Sequence, residues 1–199
     1  MPAVLNSSAV TTARRLHHSY EDYLAALEMS EVKLEYCDGE IYAMAGGTPA
    51  HADLAAAAIR LLSNALLERC RVSTSDLKVR IEATGLSTFP DVSVVCGERE
   101  FARLDRNAIT NPTLLIEVTS KSTEDYDRGE KLEHYKRIPS LEAVVIVSHR
   151  EPRMEVWSRA SNSEHWIKRE ASAGESAVIP ALGCALSVDT TWQAAAEPT

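Results

Sequence analysis

Residues 114–118, Leu-Leu-Ile-Glu-Val, form the most apolar strand-like run in the chain, with a glutamate set inside it. Such a run belongs in the middle of a sheet covered on both faces. An unpaired carboxylate buried there loses several kcal/mol of solvation, so a cation, a partner or a function has to compensate Glu117. Asp91, directly after Pro90, opens the run Val92-Ser93-Val94-Val95 in the same way. Strand alternation puts Asp91 on one face with Ser93 and Val95, and Glu117 on one face with Leu115 and Thr119. If the two strands are neighbours in suitable register, the carboxylates meet on one face. Two carboxylates plus waters suit a hard divalent ion such as Mg2+. The plainer alternative stays open: Asp91 only begins a strand at a turn, and Glu117 pairs with an arginine.

The rest of the pattern frames that sheet. Ser19 is placed to cap a short helix over Tyr20–Leu27, with Asp22 in its first turn. Val32–Tyr36 and Glu40–Met44 alternate around Cys37-Asp38-Gly39, a strong hairpin signal. Thr48 and Pro49 start a helix reaching about Arg69, with Leu54, Ala58, Leu61, Leu62, Ala65 and Leu66 on one face. Strands are expected over Lys78–Ala83, Asp91–Cys96 and Thr113–Thr119, with a charged loop, Gly97–Pro112, whose core candidates are Phe101, Leu104 and Ile109. A helix fits Tyr126–Ile138, stopped by Pro139. Ala143–Val147, Met154–Ser158, His165–Arg169 and Cys184–Val188 complete the strands. One α/β or α+β domain over residues 18–192 follows, between a disordered start (1–17) and a flexible tail (193–199).

Composition bounds what such a domain does. The 199 residues, 45% hydrophobic and 25% charged, suit one well-cored domain. The net charge of −8 is the wrong overall sign for a non-specific polyanion binder. The deficit is concentrated, however: residues 20–55 hold eight acids against Lys33 alone. Arg60, Arg69, Arg71, Lys78 and Arg80 form a local basic segment, for which weak, salt-sensitive nucleic-acid binding is expected. Cys37, Cys70, Cys96 and Cys184 show no zinc-ligand or disulfide spacing and read as small apolar fillers. With no apolar run near membrane-span length and no signal-peptide core, a cytoplasmic protein is expected.

Three further residue groups bear on chemistry. Asp127, Lys131 and Tyr135 fall four apart on one helix face. Asp127 and Lys131 make a surface pair, or Lys131 points back at the carboxylates to stabilise developing phosphorane charge or position the attacking water. His51, in the first turn of its helix, lies on or beside the core-facing side, as a structural histidine or a site residue. Glu35 and Glu40 flank the hairpin turn, ordinarily solvated, and are candidates for the site.

Taken in order, Tyr36-Cys37-Asp38-Gly39-Glu40-Ile41, Gly46-Gly47-Thr48-Pro49-Ala50-His51, Pro90-Asp91-Val92, Ile116-Glu117-Val118-Thr119-Ser120-Lys121-Ser122-Thr123 and Asp127–Tyr135 resemble the Uma-two family, within the PD-(D/E)XK nuclease superfamily. The resemblance spans roughly residues 18–190. It implies a restriction-endonuclease-like fold, a central mixed sheet flanked by helices with an N-terminal hairpin. It also implies Asp91, Glu117 and the Val118 carbonyl as ligands of Mg2+ or Mn2+. The superfamily's E-x-K lysine is absent, because Thr119 stands two residues after Glu117. Lys131, on the following helix, takes its place, with Lys121 nearer in sequence. Glu40 and His51 match recurrent family positions: Glu40 for a second metal or water orientation, His51 as auxiliary base or phosphate contact. A Mg2+-dependent endonuclease follows, acting on nucleic acid, with DNA as the expected substrate, and working as a homodimer. The alternative is a non-catalytic dimeric module that keeps the fold. No G-x-S-x-G or P-loop lysine supports other hydrolase chemistry.

Overall fold

The computed structural model describes residues 17–44, 46–160 and 163–195. The expectations for 1–16 and 196–199 lie outside the described residues. His18 is tied down by its N–H, which donates to the Gly39 carbonyl at 2.9 Å.

Helix α1 (Tyr20–Met29) starts at Ser19, whose hydroxyl accepts from the Asp22 N–H while the Asp22 carboxylate accepts from the Ser19 N–H. This reciprocal capping satisfies two otherwise orphaned donors. Strands β1 (Leu34–Cys37) and β2 (Glu40–Ala43) form the expected hairpin. Asp38 and Gly39 both take positive φ, 43° and 93°, as a two-residue primed turn requires. Tyr20, Tyr23 and Tyr36 pack with ring centroids 5.3–5.5 Å apart and hold α1 on the hairpin. Thr48 caps α2 (Pro49–Leu66), and a short 3-10 turn follows.

The chain then runs through β3 (Cys70–Thr74), β4 (Lys78–Ile81), β5 (Leu86–Thr88), β6 (Val92–Cys96), β7 (Phe101–Ala102), β8 (Asp105–Ile109) and β9 (Leu114–Val118). Two short helices, α3 (Glu124–Arg128) and α4 (Glu130–Tyr135), cross to β10 (Ala143–Val147). The chain ends through β11 (Arg153–Arg159), β12 (Trp166–Ser172), β13 (Ser176–Ile179), β14 (Cys184–Ser187) and α5 (Val188–Gln193).

One mixed sheet has the order β12-β11-β10-β9-β6-β3, with β9 and β10 parallel. A second has the order β2-β1-β5-β4-β8-β7. The central strands of the first sheet, β6, β9 and β10, are buried on both faces, as their apolar runs demand. Leu114, Ile116 and Val118 point with Val92 and Val94 toward Leu54, Ala58, Leu62 and Leu66 of α2. Leu115, Val144 and Ile146 point the other way, toward Leu132 and Tyr135 of α4 and Val79, Ile81 and Ile109 of the second sheet.

Several expectations are corrected. β3, β5, β7, β8 and β13 are strands without a strong sequence pattern, because they are short or half-exposed and owe their form to pairing with neighbours. In the segment expected as a loop, Phe101 and Leu104 are half-exposed while Ile109 is buried. The helix expected over Tyr126–Ile138 is broken at Gly129, where any side chain would start 2.8 Å from the Asp125 carbonyl oxygen. Cys70 and Cys96 form a disulfide. They are cross-strand partners in the β3–β6 register, and pairing of residues 26 apart leaves no mark in cysteine spacing. The basic segment is not one exposed strip. Lys78 is buried against Asp105 at 2.6 Å, and Arg80 lies over the Tyr20 ring and donates to the Gly85 carbonyl.

Candidate active site

The β6–β9 register pairs Val92 with Ile116 and Ser93 with Leu115. One step further sets Asp91 opposite Glu117, whose side chain points away from α2. Asp91 stands just outside β6, so its Oδ2 is free to accept the Val118 N–H at 2.8 Å and lies 3.3 Å from His51 Nε2. His51 is placed by the Thr48 cap, which fixes the first turn of α2. The hydrogen bond to Asp91, against the pull of burial, holds the His51 pKa above its ordinary value.

Glu117 is buried, and α4 comes down over it. Its Oε1 lies 2.9 Å from Lys131 Nζ and accepts the Tyr135 hydroxyl. Lys131 Nζ is also 3.5 Å from Glu35 Oε1 and 3.7 Å from Asp127 Oδ1. The Glu35 carboxylate in turn accepts the Thr88 hydroxyl. Thus β1, β9, α3 and α4 each bring one charge to a common point. Burial, offset in part by Lys131 and reinforced by Asp91 and Asp127, pushes the Glu117 carboxyl up to about 8. Burial also raises Asp127. For Lys131 burial works downward, but Glu117, Glu35 and Asp127 outweigh it and keep the ammonium charged.

Asp91, Glu117, Asp127 and Lys131 line a cleft of about 620 Å3 that also includes Lys33, Gly46, Gly47, His51, Ser120 and Thr123. Asp91 and Glu117 each engage one oxygen with the protein. Among the described residues no protein donor reaches Asp91 Oδ1 or Glu117 Oε2. Hard carboxylate oxygens, in a cluster where acids outnumber the lysine, fit a divalent cation of the Mg2+ or Mn2+ type.

Four residues expected from sequence therefore converge: Asp91, Glu117, Lys131 and His51, with Val118 between them. Glu117 is paired by a lysine rather than an arginine. Glu40 is not brought to the cluster. It sits at the turn end of the hairpin opposite Cys37, and its carboxylate accepts the Tyr42 hydroxyl. Glu35, two positions back on β1, is the hairpin acid that reaches Lys131, and it is 8% exposed. Lys121 is exposed. Thr119, at the E-x-K lysine position, is buried and bonds His149 Nδ1 at 2.8 Å. Tyr135 and Asp127 carried a visible signal, the four-residue stripe with Lys131. The role of Thr88 had none.

Comparison with known proteins adds three findings. The family model for Uma2, described as putative restriction endonuclease, matches residues 20–191. Two uncharacterized proteins of Synechocystis sp. are similar along most of their length. The first, slr1290, is 35% identical over 176 residues, 88% of this chain and 91% of its own. The second, sll1609, is 30% identical over 159 residues, 79% of this chain and 89% of its own. A crystal structure of a putative nuclease belonging to DUF820 from Anabaena variabilis superposes with a TM-score of 0.72 at 15% identity, covering 88% of this chain and 98% of that one. That likeness shows the fold. No helix among the described residues is long and apolar enough to cross a membrane.

Proposed function

This chain belongs to the Uma2 family of putative restriction endonucleases, and from that premise we propose that it is a divalent-metal-dependent endonuclease hydrolysing nucleic-acid phosphodiester bonds, DNA before RNA. The observation that carries the reading is the meeting of Asp91 and Glu117 at opposed strand positions, with Lys131 delivered to them from α4.

Asp91, Glu117 and the Val118 carbonyl are the groups assigned to hold Mg2+ or Mn2+. The bound ion supplies Lewis-acid polarisation of the phosphate and a lowered pKa for its water. Lys131 does the work of the missing E-x-K lysine. Held by Glu117, Glu35 and Asp127, its ammonium is a fixed positive charge, suited to a developing phosphorane and costing no reorganisation during reaction. Tyr135, donating to Glu117, orients that carboxylate. His51, whose pKa the hydrogen bond to Asp91 raises, is assigned a phosphate contact or the role of auxiliary base. Glu40, at the turn end of the hairpin, is not assigned a role in hydrolysis here. The acidic chain, with Lys78 and Arg80 committed elsewhere, leaves few phosphate contacts, so substrate binding is weak and salt-sensitive. Homodimerisation, which sets two clefts against two strands, and a cytoplasmic location belong to the same proposal.

The test is incubation of the purified protein with plasmid, single-stranded DNA and RNA, with Mg2+, Mn2+ or EDTA. The expected outcome is metal-dependent cleavage that Asp91→Ala and Glu117→Ala each remove. Cleavage that survives both substitutions sinks the assignment. Calorimetry showing no Mn2+ binding favours a non-catalytic module that keeps the fold.

A further inference from the structure

A second constellation of ligating atoms lies on the same two elements, β1 and α4, one step along from the Glu35–Lys131 contact. Cys37 shares a face of β1 with Glu35, and its Sγ lies 3.9 Å from His134 Nε2 on α4. Glu130, one turn earlier on α4, places Oε1 3.7 Å from the same nitrogen. The three ligand atoms lie within 4.8 Å of one another. The other ring nitrogen of His134, Nδ1, is buried without a hydrogen-bond partner, so the ring's polar chemistry runs through Nε2. Glu130, Asp38, Glu35 and Glu40 all lie within Coulomb range of the thiol, which makes the neighbourhood attractive to a cation.

We propose that Cys37, Glu130 and His134 form a Zn2+ site that ties the hairpin to α4, with the fourth position taken by water. The donor set is the first argument. A thiolate and an imidazole select Zn2+ or Co2+ over Mg2+, whereas the carboxylate pair of the cleft favours a hard ion. Spacing is the second. Zn–S and Zn–N bonds of about 2.3 and 2.0 Å place tetrahedral ligand atoms about 3.3–3.6 Å apart. The two separations from His134 exceed that by a few tenths of an ångström, and the Cys37 and Glu130 atoms lie within 4.8 Å of each other, a gap for side-chain rotation at half-buried Cys37 and exposed Glu130 to close. Position is the third. His134 is three residues from Lys131, and Cys37 two from Glu35, so the ion cross-braces the strand and the helix that hold the cleft's lysine. The site does not depend on what the cleft does. An ordinary i,i+4 pair beside a filler thiol is the competing account.

The experiment uses the EDTA-stripped full chain under non-reducing conditions, with Cys70 and Cys96 joined, and Co2+ as the probe. With excess Mg2+ present to occupy the cleft, the expected result is one equivalent bound, with a thiolate-to-cobalt charge-transfer band and intensified visible bands of tetrahedral geometry. Zn2+ displaces the probe and excess Mg2+ does not. Cys37→Ser removes the charge-transfer band, and His134→Gln or Glu130→Gln weakens Co2+ binding about tenfold or more. Cys184→Ser leaves the band intact, and so does Glu117→Ala, which separates this site from the hydrolytic reading. Zn2+ raises the melting temperature of the parent chain but not of Cys37→Ser, whose value in EDTA matches the parent's and shows that it folds. Absence of the band in the parent chain, or its persistence in Cys37→Ser, overturns the proposal.

Discussion

Lys78 and Lys131 are both 4% exposed, yet the charges around them differ in number. Lys78 meets one acid, Asp105, at 2.6 Å. Asp105 is fully engaged, with one oxygen accepting the Tyr20 hydroxyl at 3.0 Å and the other the Asn107 N–H at 2.9 Å. The rings of Tyr23 and Phe89 sit 5.3 and 5.9 Å from the ammonium. Lys131 instead faces Glu117, Glu35 and Asp127, beside an open cleft. A closed one-to-one pair is a means of holding α1 to the second sheet. An acid-rich cluster open to solvent retains negative charge that the protein leaves unbalanced, and that imbalance is a property of a binding site rather than of a core.

The comparison breaks most visibly on activity. Lys131→Met and Glu117→Gln are each expected to lower cleavage about 10^3-fold or more, while Asp105→Asn leaves the rate of the folded protein unchanged. Equal loss in all three by plasmid assay erases the distinction. Stability comes next. Breaking the closed pair with Asp105→Asn is expected to cost about 3–5 kcal/mol by urea unfolding, because Lys78 is then buried without a counter-charge. Replacing both partners together, Lys78→Met with Asp105→Leu, should recover most of that loss.

The two clusters should also answer pH with opposite sign. Burial works to raise the Asp105 carboxyl, but Lys78, the Asn107 N–H and Tyr20 together hold it below its ordinary 3.8. Its contribution is present above 3.8 and is lost as pH falls through the lower folded value. Glu117, raised from 4.5 to about 8 by burial, behaves oppositely: it costs nothing below 4.5 and progressively destabilises the metal-free protein as pH rises toward 8. In EDTA, therefore, Glu117→Gln should match the parent's melting temperature at pH 4.5 and exceed it by pH 8. A constant difference across that range would falsify the assignment. The smallest effect concerns neither cluster. Ser19→Ala removes the reciprocal cap of α1 and should cost about 1 kcal/mol by thermal or urea denaturation.

Much of the site was legible because buried strands announce their polar exceptions. Glu117 inside Leu-Leu-Ile-Glu-Val and Asp91 at the mouth of its strand stand out against apolar neighbours, and the stripe of Asp127, Lys131 and Tyr135 follows from helical spacing. Glu35 and Glu40 could not be ranked, since a hairpin alternation gives both the same face. Which of them meets Lys131 depends on where along β1 the helix α4 lands. The break at Gly129 sets that landing, and an i,i+4 pattern does not reveal it.

The same division runs through the whole molecule. Local signals determined the capped starts of α1 and α2, the Asp38-Gly39 turn, the apolar strands β6, β9 and β10, and the identity of the residues that carry charge into the core. These depend on contacts within a few residues. Tertiary structure alone decided the Cys70–Cys96 bond, the commitment of Lys78 and Arg80 to the interior, the choice of Glu35 over Glu40, and the nearness of Cys37 to His134. Each joins elements distant in sequence through strand pairing or helix–sheet packing, where burial, not propensity, sets which charge meets which.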